Sequence, residues 1–203
     1  MADGGRYILG VGGSTRANSS SERAVAAALA AAEKAGAETH LISATKLELP
    51  MYAPERPERT DEAKEFIAQV TRADGMILGS PGYHGGISGL IKNALDYIED
   101  LRETDPPYLH DTPVGCLVCA AGWQAAITTL VSLRSTVHAL RGWPTPLGVA
   151  INTAESPLTE DGTIADKDIA DQLPKSDLLV TYVAGPYPDD RECEFIAEWL
   201  DEG

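Results

Sequence analysis

Five short strand-like runs, alternating with helix-forming stretches, constrain this chain more than any other feature of its sequence. The runs are Tyr7–Val11, Glu38–Ala44, Gly75–Ser80, Val114–Ala121 and Pro146–Ile151. Between them the pattern predicts helices at Glu22–Ala35, Asp61–Arg72, Ile87–Leu101 and Thr128–Leu140. Glu22–Ala35 is dense in alanine, the strongest helix former. Serines precede it as N-caps, and Gly36 stands where a C-terminal glycine belongs. In Ile87–Leu101, residues Leu90, Ile91, Ala94, Leu95 and Ile98 fall on one apolar face. Gly142 and Pro144 stop the fourth helix. Strands that are apolar throughout suit a parallel sheet covered on both faces, and the alternation with helices implies right-handed βαβ units. The expectation is an α/β doubly wound sheet.

Length and composition agree. The 203 residues are 43% hydrophobic and 23% charged, ordinary for one globular domain. We take 1–203 as a single domain with 152–203 as a C-terminal extension. Asp166–Leu173 is a helix start broken by Pro174, Leu178–Val183 fits helix or strand, and Glu192–Leu200 is a short amphipathic helix. The net charge of −15 opposes nucleic acid and anionic lipid, whose binding rests on many Lys/Arg–phosphate contacts. No apolar run approaches the roughly 20 residues of a membrane span. The opening Met-Ala-Asp-Gly-Gly-Arg lacks a signal-peptide pattern, and three cysteines are sparse and odd in number. Together these predict a cytoplasmic protein.

In open α/β sheets, ligands bind beyond the carboxyl ends of the strands. Three loops occupy that position: Gly12–Ser21, Pro81–Gly89 and Ala121–Gln124. The first, Gly13-Ser14-Thr15-Arg16-Ala17-Asn18-Ser19-Ser20-Ser21, gathers hydroxyls, one guanidinium and the free N–H groups of the helix behind it. Such a set can receive a phosphate, although capping the helix alone accounts for several of its serines. It is neither a Gly-Lys-Ser/Thr loop nor a Gly-x-Gly-x-x-Gly fingerprint.

The second loop runs Ser80-Pro81-Gly82-Tyr83-His84-Gly85-Gly86-Ile87-Ser88-Gly89-Leu90-Ile91-Lys92-Asn93-Ala94-Leu95-Asp96. It resembles the signature of the NADPH-dependent FMN reductase family, and the Gly-Ser-x-Arg-x-x-Ser of the first loop resembles that family's phosphate loop. The resemblance covers about residues 7–152. It implies a flavodoxin-like three-layer sandwich with five parallel strands in the order 2-1-3-4-5. It implies an oxidoreductase that moves hydride from NAD(P)H to FMN. The reduced flavin would then supply a partner monooxygenase or reduce quinone, azo or nitro compounds.

Carried over by position, the resemblance assigns the FMN phosphate to Ser14, Arg16, Ser19 and Ser21. The ring falls to Pro81, Gly82, Tyr83, His84, Gly85 and Ile87, and its pyrimidine edge to Ala121, Gly122 and Trp123. Ser21 and His84 stand where asparagine is common in the family. Trp123 replaces a small residue, which places an indole where it would narrow the cavity or cover the ring. The family's homodimers or homotetramers imply an interface on the Ile87–Leu101 helix, with Tyr97 and Leu101 as a second face. Hydride chemistry belongs to the cofactor, so no catalytic residue is assigned.

Other features read as structural. Cys116 and Cys119 form C-x-x-C, but three residues apart on a strand they face opposite sides, and buried thiols are the plain reading. His40, His84, His110 and His138 lack paired ligand spacing, so no metal is expected. Lys92 and Asp96 form an i,i+4 surface pair. No serine sits in a Gly-x-Ser-x-Gly elbow. Two rival functions stay open: an electron-carrying flavodoxin without nicotinamide turnover, favoured by the acidity, and a non-catalytic relative plugged by Trp123.

Overall fold

A computed structural model of the chain describes residues 6–159 and 167–172. Its strands are β1 (Tyr7–Gly12), β2 (Glu38–Ile42), β3 (Gly75–Tyr83), β4 (Gly86–Ile87), β5 (Pro113–Ala120), β6 (Trp143–Pro144) and β7 (Val149–Asn152). The helices are α1 (Ser20–Lys34), α2 (Asp61–Arg72), α3 (Gly89–Asp96) and α4 (Trp123–Ala139), with single turns of 3-10 helix at Ala44–Lys46 and Tyr97–Leu101.

The sheet runs β2-β1-β3-β5, and its last position is shared. β6 pairs in parallel with the start of β5 at Pro113 and Val114, while β7 pairs with its end from Leu117 to Ala120. Counting the two as one interrupted strand gives the expected order 2-1-3-4-5. β6 makes two ladder bonds on either side of Pro144, from Trp143 N–H to Thr112 O and from Thr145 N–H to Val114 O, and the residues after Thr145 loop out until Val149. β1 and β5 are buried along their whole length, as expected of central strands packed on both faces.

One layer, α1 with residues 167–172, packs on Ile8, Ile77, Leu117 and Ile151. The other layer, α2, α3 and α4, packs on Leu9, Val11, Met76, Leu78, Cys116 and Val118. Cys116 and Cys119 accordingly lie in opposite layers, both buried. Glycines admit α1 close to the sheet. A Cβ at Gly79 would stand 2.4 Å from Val25 Cγ2, and one at Gly12 would stand 2.9 Å from it, so the helix N-terminus is held low over the strand ends.

Several boundaries move. β3 continues through Pro81 and Tyr83, so the second loop is a tight hairpin rather than an open loop. Ile87 belongs to β4, and α3 begins at Gly89 behind a Ser88 cap whose Oγ accepts from Ile91 N–H. α4 starts at Trp123, five residues before the sequence pattern places it, with Gly122 as N-cap. Tyr97 and Leu101 are buried in the same core as Ile91 and Leu95, so the α3 segment has no second, outward apolar face. On α4, by contrast, Trp123, Ile127 and Val131 stand exposed and repeat at i, i+4 and i+8.

Residues 167–172 are helical within the expected Asp166–Leu173. Leu178–Val183, Glu192–Leu200 and Cys193 lie outside the described residues. No described helix is long and apolar enough to cross a membrane.

Candidate functional site

The loop after β1 is shaped by backbone geometry that few residues accept. Gly13 has φ +135 and Asn18 φ +53, and the Gly13 N–H donates to Gly79 O at 3.3 Å, tying this loop to the end of β3. Ser19 caps α1: its Oγ accepts from Glu22 N–H at 3.3 Å and lies 3.3 Å from Ser21 Oγ. Ser14 Oγ accepts from Arg16 N–H at 3.3 Å. Ser14, Ser19 and Ser21 are all buried, whereas Arg16 is exposed and, among the described residues, its guanidinium holds no partner. Glu22 is the one acid in the first turn of α1; its Oε2 accepts from Ala44 N–H at 3.4 Å and lies beside Gly13. Set against that one carboxylate are a helix N-terminus, three buried hydroxyls and an unengaged cation, a set with the chemistry to hold a dianion.

Beside it, a cavity of about 720 Å³ opens between the β3–β4 hairpin and the start of α4. It is lined by Gly82, His84 and Gly85 from the hairpin, Ala121 and Gly122 after β5, and Gln124, Ala125 and Thr128 on α4. The hairpin turn is His84-Gly85 between the paired Tyr83 and Gly86. Both turn residues have positive φ, +54 and +81, the combination a type I′ turn demands. Ser80 Oγ accepts from Ser88 N–H at 3.0 Å, and Thr129 Oγ1 donates to Gly86 O at 3.3 Å, so the hairpin is fixed at its base and against α4.

The cap of α4 is unlike the others. Ser19, Thr60 and Ser88 each cap a helix with a hydroxyl, but Gly122 offers none, which leaves the first-turn N–H groups uncapped beside the cavity. Glycine is not demanded at 122 by conformation, since its φ is −176, nor by packing, since a Cβ there would meet nothing within 4 Å.

Of the residues expected from sequence, Gly82, His84, Gly85, Ala121 and Gly122 are brought together around the cavity. Pro81, Tyr83 and Ile87 sit on the same hairpin without lining it, and Ser14, Arg16, Ser19 and Ser21 form the neighbouring loop. Trp123 departs from expectation. Its indole Nε1–H donates to Glu155 Oε2 at 2.9 Å, while Glu155 Oε1 accepts from Asn152 Nδ2 at 2.8 Å. The ring is therefore drawn toward the turn after β7 and does not line the cavity, so it neither narrows nor plugs it. Gln124, already in the third loop read from sequence, lines the cavity too, and Ala125 and Thr128 join it because α4 begins at Trp123 rather than at Thr128; Gly122 as an N-cap is the sequence signal for the earlier start.

Burial pushes the thiols of Cys116 and Cys119 up to about 12, so neither is a nucleophile or redox centre near neutral pH. Lys92 and Asp96 form their surface pair at 2.6 Å. Among the described residues no group of three or more His, Cys, Asp or Glu side chains is placed to hold a metal.

A sequence profile described as NADPH-dependent FMN reductase matches residues 7–156, spanning both loops and the cavity. The chain belongs to this family. It is 33% identical over 128 residues to the FMN-dependent NADPH-azoreductase of Staphylococcus haemolyticus (strain JCSC1435), a match spanning 63% of this chain and 64% of that one. The fold is similar to that of an NADH:FMN oxidoreductase in its apo form, with a TM-score of 0.70 at 17% identity over 90% of this chain and 92% of the other. It is also similar to a flavodoxin, the WrbA-like protein of Agrobacterium tumefaciens, with a TM-score of 0.57 at 18% identity over 89% of this chain and 98% of that one. At these identities the two likenesses speak to the fold, which is flavodoxin-like.

Proposed function

We propose that this member of the NADPH-dependent FMN reductase family binds FMN and uses NAD(P)H to reduce it, then passes the electrons to a small acceptor such as a quinone, azo or nitro compound. One observation carries the reading. The two strand-end loops within the family match open side by side at one sheet edge, one a cluster of anion donors and the other a neutral, glycine-walled cavity.

The residues present fit the cofactor. Ser14, Ser19 and Ser21 would donate hydroxyls to the FMN phosphate, and Arg16 would add a charge-assisted contact of roughly 1.5–3 kcal/mol. Gly82, Gly85, Ala121 and Gly122 would leave a smooth wall for the ring, and the uncapped N–H groups of α4 would be available to its polar atoms. When bound, the flavin supplies the hydride chemistry. The chain's part in the nicotinamide step is binding and orientation.

Release of reduced flavin to a monooxygenase is the alternative fate of the same electrons. Leu158 and Ile169 are buried against α1 and the sheet, which supports reading the residues after 152 as an extension of one 1–203 domain. A homodimer or homotetramer formed through α4 fits the exposed Trp123–Ile127–Val131 stripe. In a chain of net charge −15, this 17-residue helix carries no acid.

The test is anaerobic turnover of purified, FMN-loaded protein with NADH and NADPH, using free FMN, a quinone and an azo dye as acceptors. Nicotinamide consumption is expected, and Arg16→Ala should weaken FMN binding about 10- to 100-fold. A yellow protein that consumes no nicotinamide is instead an electron carrier.

A further inference from the structure

We propose that His84 is a catalytic residue of the acceptor half-reaction, its imidazolium delivering the proton that accompanies hydride transfer to a quinone or azo compound. The inference rests on the FMN reading above and adds to it an acid that flavin reduction itself does not require.

Position, conformation and isolation support it. His84 lines the cavity at the tip of the β3–β4 hairpin and is exposed, so solvent can restore its proton after each turnover. It holds φ +54, a left-handed conformation that glycine or asparagine adopts with less strain. A residue chosen for the turn alone would be one of those. Imidazole is the side chain suited to proton exchange near neutral pH.

No other described residue lining the cavity can supply a proton there. Gly82, Gly85, Ala121, Gly122 and Ala125 carry none, Gln124 is an amide, and the Thr128 hydroxyl already donates to Gln124 O at 2.8 Å. The groups facing the turn are few. On its own hairpin Tyr83 is the titratable neighbour; α4 presents Gln124 and Thr128; the end of β5 presents Ala120 and Ala121. Glu155, which reaches the first residue of α4, is engaged with the Trp123 indole.

The balance closes. Two electrons and one hydrogen reach the acceptor as hydride from the reduced flavin, whose electrons come from NAD(P)H. The imidazolium N–H breaks and its proton bonds to the second acceptor atom. A quinone becomes a hydroquinone, or N=N becomes HN–NH. His84 is left neutral and is reprotonated from water.

The experiment compares wild type with His84→Asn, which retains a side chain tolerant of left-handed backbone. Bound flavin is reduced with dithionite, bypassing nicotinamide, and reoxidised by 1,4-naphthoquinone, by an azo dye, or by ferricyanide, which takes electrons without needing a proton. The naphthoquinone-to-ferricyanide rate ratio should fall about 100-fold in His84→Asn, and the decline of the wild-type ratio with rising pH should disappear.

A second readout needs no turnover. In oxidised protein, the imidazole NMR resonance missing from His84→Asn should shift when 1,4-naphthoquinone is added. An unchanged rate ratio and pH profile, or an unmoved resonance, overturns the proposal. Normal reoxidation in a protein that ignores NADH and NADPH overturns the nicotinamide reading and leaves the His84 assignment standing.

Discussion

Ser19 and Gly122 each open a helix at the edge of the site, and they do so by opposite means. The Ser19 hydroxyl caps its helix by accepting from Glu22 N–H, while Gly122 contributes no side chain and leaves the first-turn N–H groups of its helix without a side-chain cap. Because a Cβ at 122 meets no protein atom, Gly122→Val should lower stability by less than about 1 kcal/mol. It should nonetheless weaken FMN binding at least tenfold, as read by flavin fluorescence titration beside a urea melt. An equal loss in both would mean the glycine serves the fold. The two buried thiols give a second prediction at this scale. Their values rise from 9.0 to about 12 on folding, so the native state holds protons that the unfolded chain releases. Their contribution is intact below about pH 9 and is lost as pH climbs toward 12, by up to about 1.4 kcal/mol per pH unit for each thiol. Urea midpoints at about pH 8 and about pH 10.5 should therefore drop less in Cys119→Ala than in wild type.

Among the elements, α3 and α4 exchange the roles their sequences imply. α3 and the turn after it bury Ile91, Leu95, Tyr97 and Leu101 inside the molecule, with Asn93 and Tyr97 binding the backbone carbonyls of Leu49 and Pro50. The connection from β2 to α2 is clamped there further by Arg59. Its guanidinium forks onto Asp100 at 2.6 and 2.8 Å and lies 4.9 Å from the Tyr52 ring centroid. α4 instead keeps its apolar stripe outward. Ile127 is 52% exposed and Val131 63%, on the face through which the proposed dimer or tetramer would form. Ile127→Glu combined with Val131→Glu should convert the assembly to monomers in sedimentation velocity while leaving the helix content unchanged, since neither side chain is part of the core. An assembly that survives both changes would place the interface elsewhere.

At the level of the whole molecule, the proposed function asks a protein of net charge −15 to admit FMN and a nicotinamide dinucleotide, both anions. Attraction at the proposed site comes from the Arg16 loop and the helix ends, while the long-range field repels. Raising ionic strength from about 10 mM to about 150 mM shortens the Debye length from roughly 30 to 8 Å and screens that repulsion before it weakens contacts made at the site. The kcat/KM for NADPH should therefore rise severalfold over this range in stopped-flow flavin reduction; a fall would reveal a basic approach surface that the described residues do not account for.

The sequence by itself determined the alternation of strands and helices and the three loops at the sheet's carboxyl edge, whereas the strand order was implied only by the family resemblance. The alternation and the loops are properties of local periodicity, of glycines that only tight turns accept, and of serines placed as caps. Where α4 begins was also written locally, in Gly122, yet the run after it mixes apolar and hydroxyl residues without a strong periodic signal, and the pattern places the boundary at Thr128. Only the tertiary structure decided the rest. Whether Tyr97 faces solvent or core, whether Trp123 covers a cavity or binds Glu155 some thirty residues away, and which α4 side chains line the site depend on contacts between distant segments. Side-chain direction at such positions is fixed by what packs opposite, and a helical pattern read along the chain does not contain its partner.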